Sequence, residues 1–160
     1  MTLAELFDKY ETDKGYYHQY TPIYEKFLES RRRNINKVLE LGVYEGASLK
    51  AWRDYFPNAI ILGVDIDSHS QFQDLRIETM TGDQGNSKDL HKIGERGPFD
   101  LIIDDGSHEI HDQLLSLLYL WHYLKDDGLY VIEDLIEPAH LYTLRNLPGQ
   151  VEFFPSQGSI

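Results

Sequence analysis

Lys37-Val-Leu-Glu-Leu-Gly-Val-Tyr-Glu-Gly-Ala-Ser48 is the stretch on which the fold turns. Lys37 to Gly42 reads as a short buried strand that ends in glycine, and Ala47 to Phe56 reads as a helix stopped by Pro57. The same alternation continues outward. Ala59 to Asp65 is a second apolar strand, Arg76 to Thr81 a weaker third, Phe99 to Asp104 a fourth and Leu129 to Glu133 a fifth. Between them, 86–95 and 110–124 read as helices, the latter with Leu114, Leu117, Leu118, Trp121 and Leu124 at helical spacing. Continuous apolar strands alternating with helices predict an α/β fold, a mostly parallel sheet covered by helices on both faces.

The chain has 160 residues, one domain's worth. Residues 1–36, with helices expected at 2–10 and 21–33 around a polar, aromatic loop at 12–20, read as an N-terminal helical cover; 37–160 read as the core. With 15 Lys+Arg against 27 Asp+Glu the formal net charge is −12, which argues against nucleic acid as a partner. There is no cysteine, which removes disulfides, thiolate metal sites and a thiol nucleophile together. No membrane span is expected, because the apolar stretch at 114–121 is less than half of the roughly 20 residues a spanning helix needs. The N-terminus shows no signal-peptide pattern, so the expected localisation is cytoplasmic.

In parallel α/β sheets, ligands bind outside the carboxyl ends of the strands. Here those ends carry acids almost without exception: Glu40 beside Gly42, Asp65, Asp83, Asp104-Asp105 and Glu133-Asp134. The glycine loop, Glu40 to Ser48, fails as a dinucleotide fingerprint because Tyr44 stands where the second glycine is needed, and no Gly-Lys-Ser/Thr follows for a phosphate loop. Glu40 is unwelcoming to phosphate and suited to an ammonium. A cationic, phosphate-free nucleoside meets all three observations, and S-adenosylmethionine is such a ligand. Gly42, Gly46 and Ser48 would line it, Asp65 could accept from a ribose diol and Asp83 from an adenine amino group. Each of these acids could equally be a turn or helix-cap residue.

Taken in order, the loop, Thr12-Asp-Lys-Gly15 with His18, Tyr20-Thr-Pro-Ile-Tyr24, Asp104-Asp-Gly-Ser-His108 and Val131-Ile-Glu-Asp134 resemble the class I S-adenosylmethionine-dependent methyltransferases. They resemble most the metal-dependent sugar O-methyltransferases of macrolide tailoring. The resemblance implies a Rossmann-like methyltransferase fold, S-adenosylmethionine and Mg2+ as cofactors, and methylation of a sugar hydroxyl in a glycoside or sugar-bearing natural product. Asp105, Glu133 and Asp134 would be the all-oxygen cation site that a hard divalent ion prefers, and His108 the general base. Asp104 and Lys14 would join the cofactor site, with His18, Tyr20 and His111 toward the substrate. Other readings remain: a non-sugar oxygen acceptor, a non-catalytic nucleoside-binding module and, more distantly, a nicotinamide dehydrogenase. A homo-oligomer is compatible with the sequence. A short helix at 138–146, a sixth strand at 151–154 and the first residues of a seventh at 157–160 are expected, so the sheet reads as truncated at its last strand.

Overall fold

The computed structural model describes residues 1–135, Leu144 and 152–154. Two helices come first, α1 (Leu3–Tyr10) and α2 (Thr21–Leu28), followed by β1 (Lys37–Leu41), α3 (Ala47–Tyr55), β2 (Ile60–Asp65), β3 (Ile77–Thr81), α4 (Ser87–Gly94), β4 (Phe99–Asp104), α5 (Ile110–Leu120) and β5 (Leu124–Ile132). The five strands form one parallel sheet in the order β3-β2-β1-β4-β5. The order reverses between β1 and β4, which puts the ligand crevice of such a sheet at the carboxyl ends of those two strands. This is the Rossmann-like architecture expected from the sequence.

Side chains alternate along each strand, so each strand feeds two cores. Val38, Ile61, Leu101 and Ile103 face one core with Leu3, Phe7, Tyr24, Leu28 and Trp52 of α1, α2 and α3. Leu39, Leu41, Leu62, Val64 and Ile102 face the other with Leu90, Ile93 and Leu120 of α4 and α5. The N-terminal helices are therefore a layer of the first core. Thr2 and Glu5 close a capping box on α1, and Tyr10, Lys9 and Arg53 converge on Asp54 of α3.

Three expectations need correction. The helix expected to run to Leu124 stops at Leu120, a single tighter turn follows at Trp121–Tyr123, and β5 already begins at Leu124. Phe99 pairs with Leu124 but Leu101 with Leu129, so the residues between, with the turn expected at Asp126-Asp127-Gly128 among them, bulge out of an otherwise continuous strand. The apolar stripe of α5 is also rotated from its expected position. Its fully covered residues are Gln113, Ser116, Leu117 and Leu120, whereas Leu118 and Trp121 are exposed. Gln113 Nε2 donates to the Glu133 carbonyl and Ser116 Oγ to Asp104, so polar anchoring at the strand ends sets which face turns inward. Third, α2 ends at Leu28 and a short tight turn covers Glu29–Arg31, where a helix to Arg33 was expected.

The helix expected at 138–146 and the strand start at 157–160 lie outside the described residues, apart from Leu144, which is helical and buried. Residues 152–154 carry no strand; Glu152 accepts from Lys26, and Phe154 meets Phe27 on α2. Among the described residues no helix is long and apolar enough to cross a membrane.

The turn out of β1 is the tightest approach in the crevice. Gly42 has φ +91°, and a Cβ there would stand 2.2 Å from the backbone oxygen of Asp105 at the end of β4. Gly42→Ala should therefore combine a left-handed backbone penalty of about 1–3 kcal/mol with a clash that separates β1 from β4. Thermal unfolding should show a fall of several degrees, at about 2–4 °C per kcal/mol for a chain of this size. An unchanged melting temperature would refute this account of the turn.

Candidate functional site

Strand alternation decides where each strand-end acid points. Glu40 shares a face with Val38, Asp105 with Ile103, Glu133 with Val131 and Asp65 with Ile61, all on the side of α1, α2 and α3. Asp104 shares a face with Ile102 and points the other way. It is fully buried, with one oxygen held by Gln84 Nε2 at 3.0 Å and the other by Ser116 Oγ at 2.5 Å. Burial raises its carboxyl above the ordinary range, against the pull of these donors. Both oxygens of Asp104, expected toward the cofactor, are engaged in anchoring α5 and the loop after β3.

On the first face, the loop at 12–20 delivers Lys14 into the sheet edge. The loop closes on itself through His18 N to Asp13 O and Tyr20 N to Lys14 O, each 2.9 Å. Lys14 is 1% exposed. Its Nζ donates to Glu133 Oε2 at 2.9 Å and to Asp105 Oδ2, and lies 3.3 Å from Glu40 Oε1. Burial by itself would lower the ammonium's pKa; the carboxylates of Glu133, Glu40 and Asp105 outweigh it and hold the group well above its usual value. The same burial raises Glu40, and pushes Glu133 up to about 8 against the attraction of Lys14. Lys14 thus meets the acid expected to face a ligand ammonium and two of those expected to face a cation.

Glu133 and Asp134 are each held by a tyrosine of the N-terminal cover. Tyr24 donates its phenol to Glu133 Oε1, and Tyr20 donates to Asp134 Oδ1. Burial first, and these carboxylates second, raise both phenols, so they stay protonated donors. His18 stacks on Tyr20 at 5.2 Å between ring centroids and approaches Asp134 at 3.7 Å. His18 and Tyr20, expected toward substrate, therefore sit against the acids. His111 is exposed beside Asp112 and joins no other site residue. Tyr16 and Tyr17 are exposed at 90% and 68%.

Asp105, His108 and Asp134 each present one ligand-type atom within 4.8 Å of the others. Asp105 and Asp134 of the expected cation set stand in this cluster beside His108; Glu133, the third expected member, lies outside it. The physical reason is visible: both Glu133 oxygens are engaged by Lys14 and Tyr24. Glu133 still borders the same space, because its Oε2 and Asp105 Oδ2 share one ammonium. His108 Nδ1 is buried and meets no hydrogen-bond donor or acceptor. Tyr44, His108 and Asp134 have φ of 50°, 59° and 52°, left-handed conformations that non-glycine residues hold at a cost and that cluster at working sites.

The glycine loop is built by Asp65, whose Oδ2 accepts from Val43 N at 2.8 Å and Tyr44 N at 3.0 Å. Gly46, φ +73°, opens α3, and the Phe72 ring lies where its side chain would be. Ser48 Oγ donates to Glu40 Oε2 at 2.8 Å, and the Lys14 ammonium lies 3.3 Å from Glu40 Oε1. Asp83 accepts from Gly85 N. Gln84 and Ser116 are not candidate site residues in the sequence, and Tyr24 enters there only as the end of the Tyr20-Thr-Pro-Ile-Tyr24 motif. Gly106 was the available signal for Gln84: a Cβ there would stand 1.8 Å from Gln84 Oε1.

No family model matches the chain. It is 40% identical over 142 residues to the mycinamicin VI 2''-O-methyltransferase of Micromonospora griseorubida, covering 83% of this chain and 36% of that enzyme. To the demethylmacrocin O-methyltransferase of Streptomyces fradiae it is 38% identical, with the same coverage. The structure of the MycE methyltransferase with Mg, SAH and mycinamycin VI superposes with a TM-score of 0.77 at 40% identity, over 84% of this chain and 37% of that one. A second MycE structure, with Mg and SAH, gives 0.81 at 34% identity, over 99% and 49%. The fold is that of a class I S-adenosylmethionine-dependent methyltransferase. More narrowly, the chain is homologous to sugar O-methyltransferases of macrolide and tetracenomycin tailoring, and it spans about a third of the length of these curated relatives.

The buried ion network yields two expectations. Lys14→Met strands carboxylates in the core and should cost about 3–5 kcal/mol, part of it recovered in Lys14→Met/Glu133→Gln. Equal melting temperatures for wild type and single variant would refute the network's role. The second concerns pH without divalent metal. An open-chain Glu titrates near 4.5 and Glu133 here at about 8, so the folded state keeps a proton that the unfolded state has lost. Its stabilising contribution is complete below the lower value and is lost as pH rises through about 8. Melts in EDTA should fall from mildly acidic to alkaline pH more steeply for wild type than for Glu133→Gln; parallel profiles would refute it.

Proposed function

We propose that this chain carries an S-adenosylmethionine-dependent, Mg2+-assisted O-methyltransferase site acting on a sugar hydroxyl of a glycoside or sugar-bearing natural product. The observation that carries the reading is the convergence of Asp105, His108 and Asp134 beside a glycine loop, with a buried His108 nitrogen that has no other partner. The donor set suits these groups: carboxylates for a hard cation, and a carboxylate rather than a phosphate cradle at the glycine loop. Bound there, S-adenosylmethionine supplies the sulfonium methyl, and Mg2+ supplies the Lewis acidity that makes a sugar hydroxyl easier to deprotonate.

The chain's own residues do the rest. Asp105 and Asp134, with Glu133 at their edge, would hold the cation. His108, within reach of both aspartates, would accept the proton of the acceptor hydroxyl as its oxygen attacks the methyl carbon and the carbon–sulfur bond breaks. Gly42 and Gly46 keep backbone close to the nucleoside, Asp65 would accept from its ribose and Asp83 from its base. Glu40 faces the amino-acid end, with Ser48 and Lys14 fixing its two oxygens. The reaction then depends on alignment of oxygen, methyl and sulfur, which a pre-built site provides. We place the activity in the cytoplasm, on a small molecule rather than nucleic acid, and in a protein that can form homo-oligomers.

The test supplies the chain with methyl-labelled S-adenosylmethionine, Mg2+ and three acceptors: a deoxysugar-bearing macrolide, its aglycone and a catechol. Label should enter the glycoside alone, and EDTA should stop it. His108→Ala should lower kcat by about 10²–10⁴-fold, the usual worth of a positioned base, and Asp105→Ala should abolish the Mg2+ response. Full turnover in both folded variants would sink the mechanism, and label in the catechol alone would replace the sugar with another oxygen acceptor.

A further inference from the structure

We infer that Tyr20 and Tyr24 are positioning residues for the cation site: two phenols on one side of α2 that aim the carboxylates of Asp134 and Glu133. The inference deepens the proposed function and rests on its cation site. Tyr20 and Tyr24 stand one helical turn apart, and the backbone N–H of Tyr24 bonds the carbonyl of Tyr20 at 3.1 Å. Residues at that spacing project from the same side of a helix. Glu133 and Asp134 are consecutive residues just past the end of β5. The two phenols match them one to one, Tyr24 to Glu133 Oε1 and Tyr20 to Asp134 Oδ1.

Each bond occupies one carboxylate oxygen and leaves the other to face elsewhere. For Glu133 the other oxygen, Oε2, faces the ammonium that Asp105 shares. For Asp134 the neighbours are His108 and Asp105. Outer partners that orient ligand carboxylates typically change metal affinity about 10–100-fold when removed. The pair is also well anchored. Tyr24 is 3% exposed and packs edge-on against Trp52 at 4.9 Å and Phe7 at 6.5 Å between ring centroids. Tyr20 stands at the N-cap position of α2, two residues ahead of Pro22, and carries His18 stacked on its ring. The rings have packing reasons to be where they are; among the described residues the hydroxyls meet only the carboxylates.

The experiment uses the full chain, Mn2+ as the probe ion and no acceptor, with binding read by water-proton relaxation and by calorimetry. Tyr24→Phe and Tyr20→Phe keep the rings and remove the hydroxyls; Tyr17→Phe, at an exposed site, is the control. We expect each variant to bind Mn2+ about 10–100-fold more weakly than wild type, with the control unchanged. Lower melting temperature with unaltered Mn2+ affinity in both variants would overturn the positioning role and leave the proposed function standing. Wild type that fails to bind Mn2+ would overturn the cation site itself, and the tyrosines' role with it. Should Tyr24→Phe fold poorly, Tyr20→Phe, which lies nearer the surface, decides the matter by the same criterion.

Discussion

The ammonium of Lys14 lies among the carboxylates of Glu40, Asp105 and Glu133, and the carboxyl edge of the sheet is organised around it. Those acids come from β1 and from the loops after β4 and β5, three neighbouring elements whose alternation turns them to one side. Brought together unpaired in a dry place, they would repel and drive one another toward the neutral form. The N-terminal segment resolves this by placing one cation among them. In doing so it ties residues 12–20, which belong to no helix or strand, to the middle of the sheet. The cover of α1 and α2 is thus held at the crevice by charge, and farther away by the aromatic packing of Phe7, Tyr24 and Trp52.

Much of this was legible in the sequence. Strand apolarity, helix spacing and the glycines located the sheet, the loop and the acid-bearing edge, because these depend on local chemistry and on a rule that holds for every parallel sheet. What was less legible depends on direction. Asp104 and Asp105 are neighbours, yet one anchors α5 from the far face and the other meets Lys14 on the near one. The period of two in β4 contains that distinction: Ile103 and Asp105 share a face that Ile102 and Asp104 do not. The face of α5 failed for a related reason. Apolar spacing pointed to Leu118 and Trp121, but Ser116 and Gln113 satisfy buried groups at two strand ends, and an unmet buried polar group costs more than an exposed leucine. The bonds of Tyr20 and Tyr24 span more than 100 residues, and no local pattern carries them.

The network is also informative in what it does not balance. One buried ammonium faces three carboxylates, and Asp134 adds a fourth acid a short distance away. Ion pairs of this depth are weak evidence for stability, since well-packed apolar residues often do as well. A fold that kept them for stability alone would be expected to satisfy every member. Here, among the described residues, His108 Nδ1 stays buried at the aspartates without a hydrogen-bond partner, and Glu40 Oε1 has the Lys14 ammonium at 3.3 Å. The network thus separates a glycine-loop side at β1, where Glu40 meets Ser48 and Lys14, from an aspartate side between β4 and β5, where His108 lies. The acidity of the chain as a whole gives no such resolution; it acquires chemical meaning only where strand alternation divides it between the two faces of the sheet.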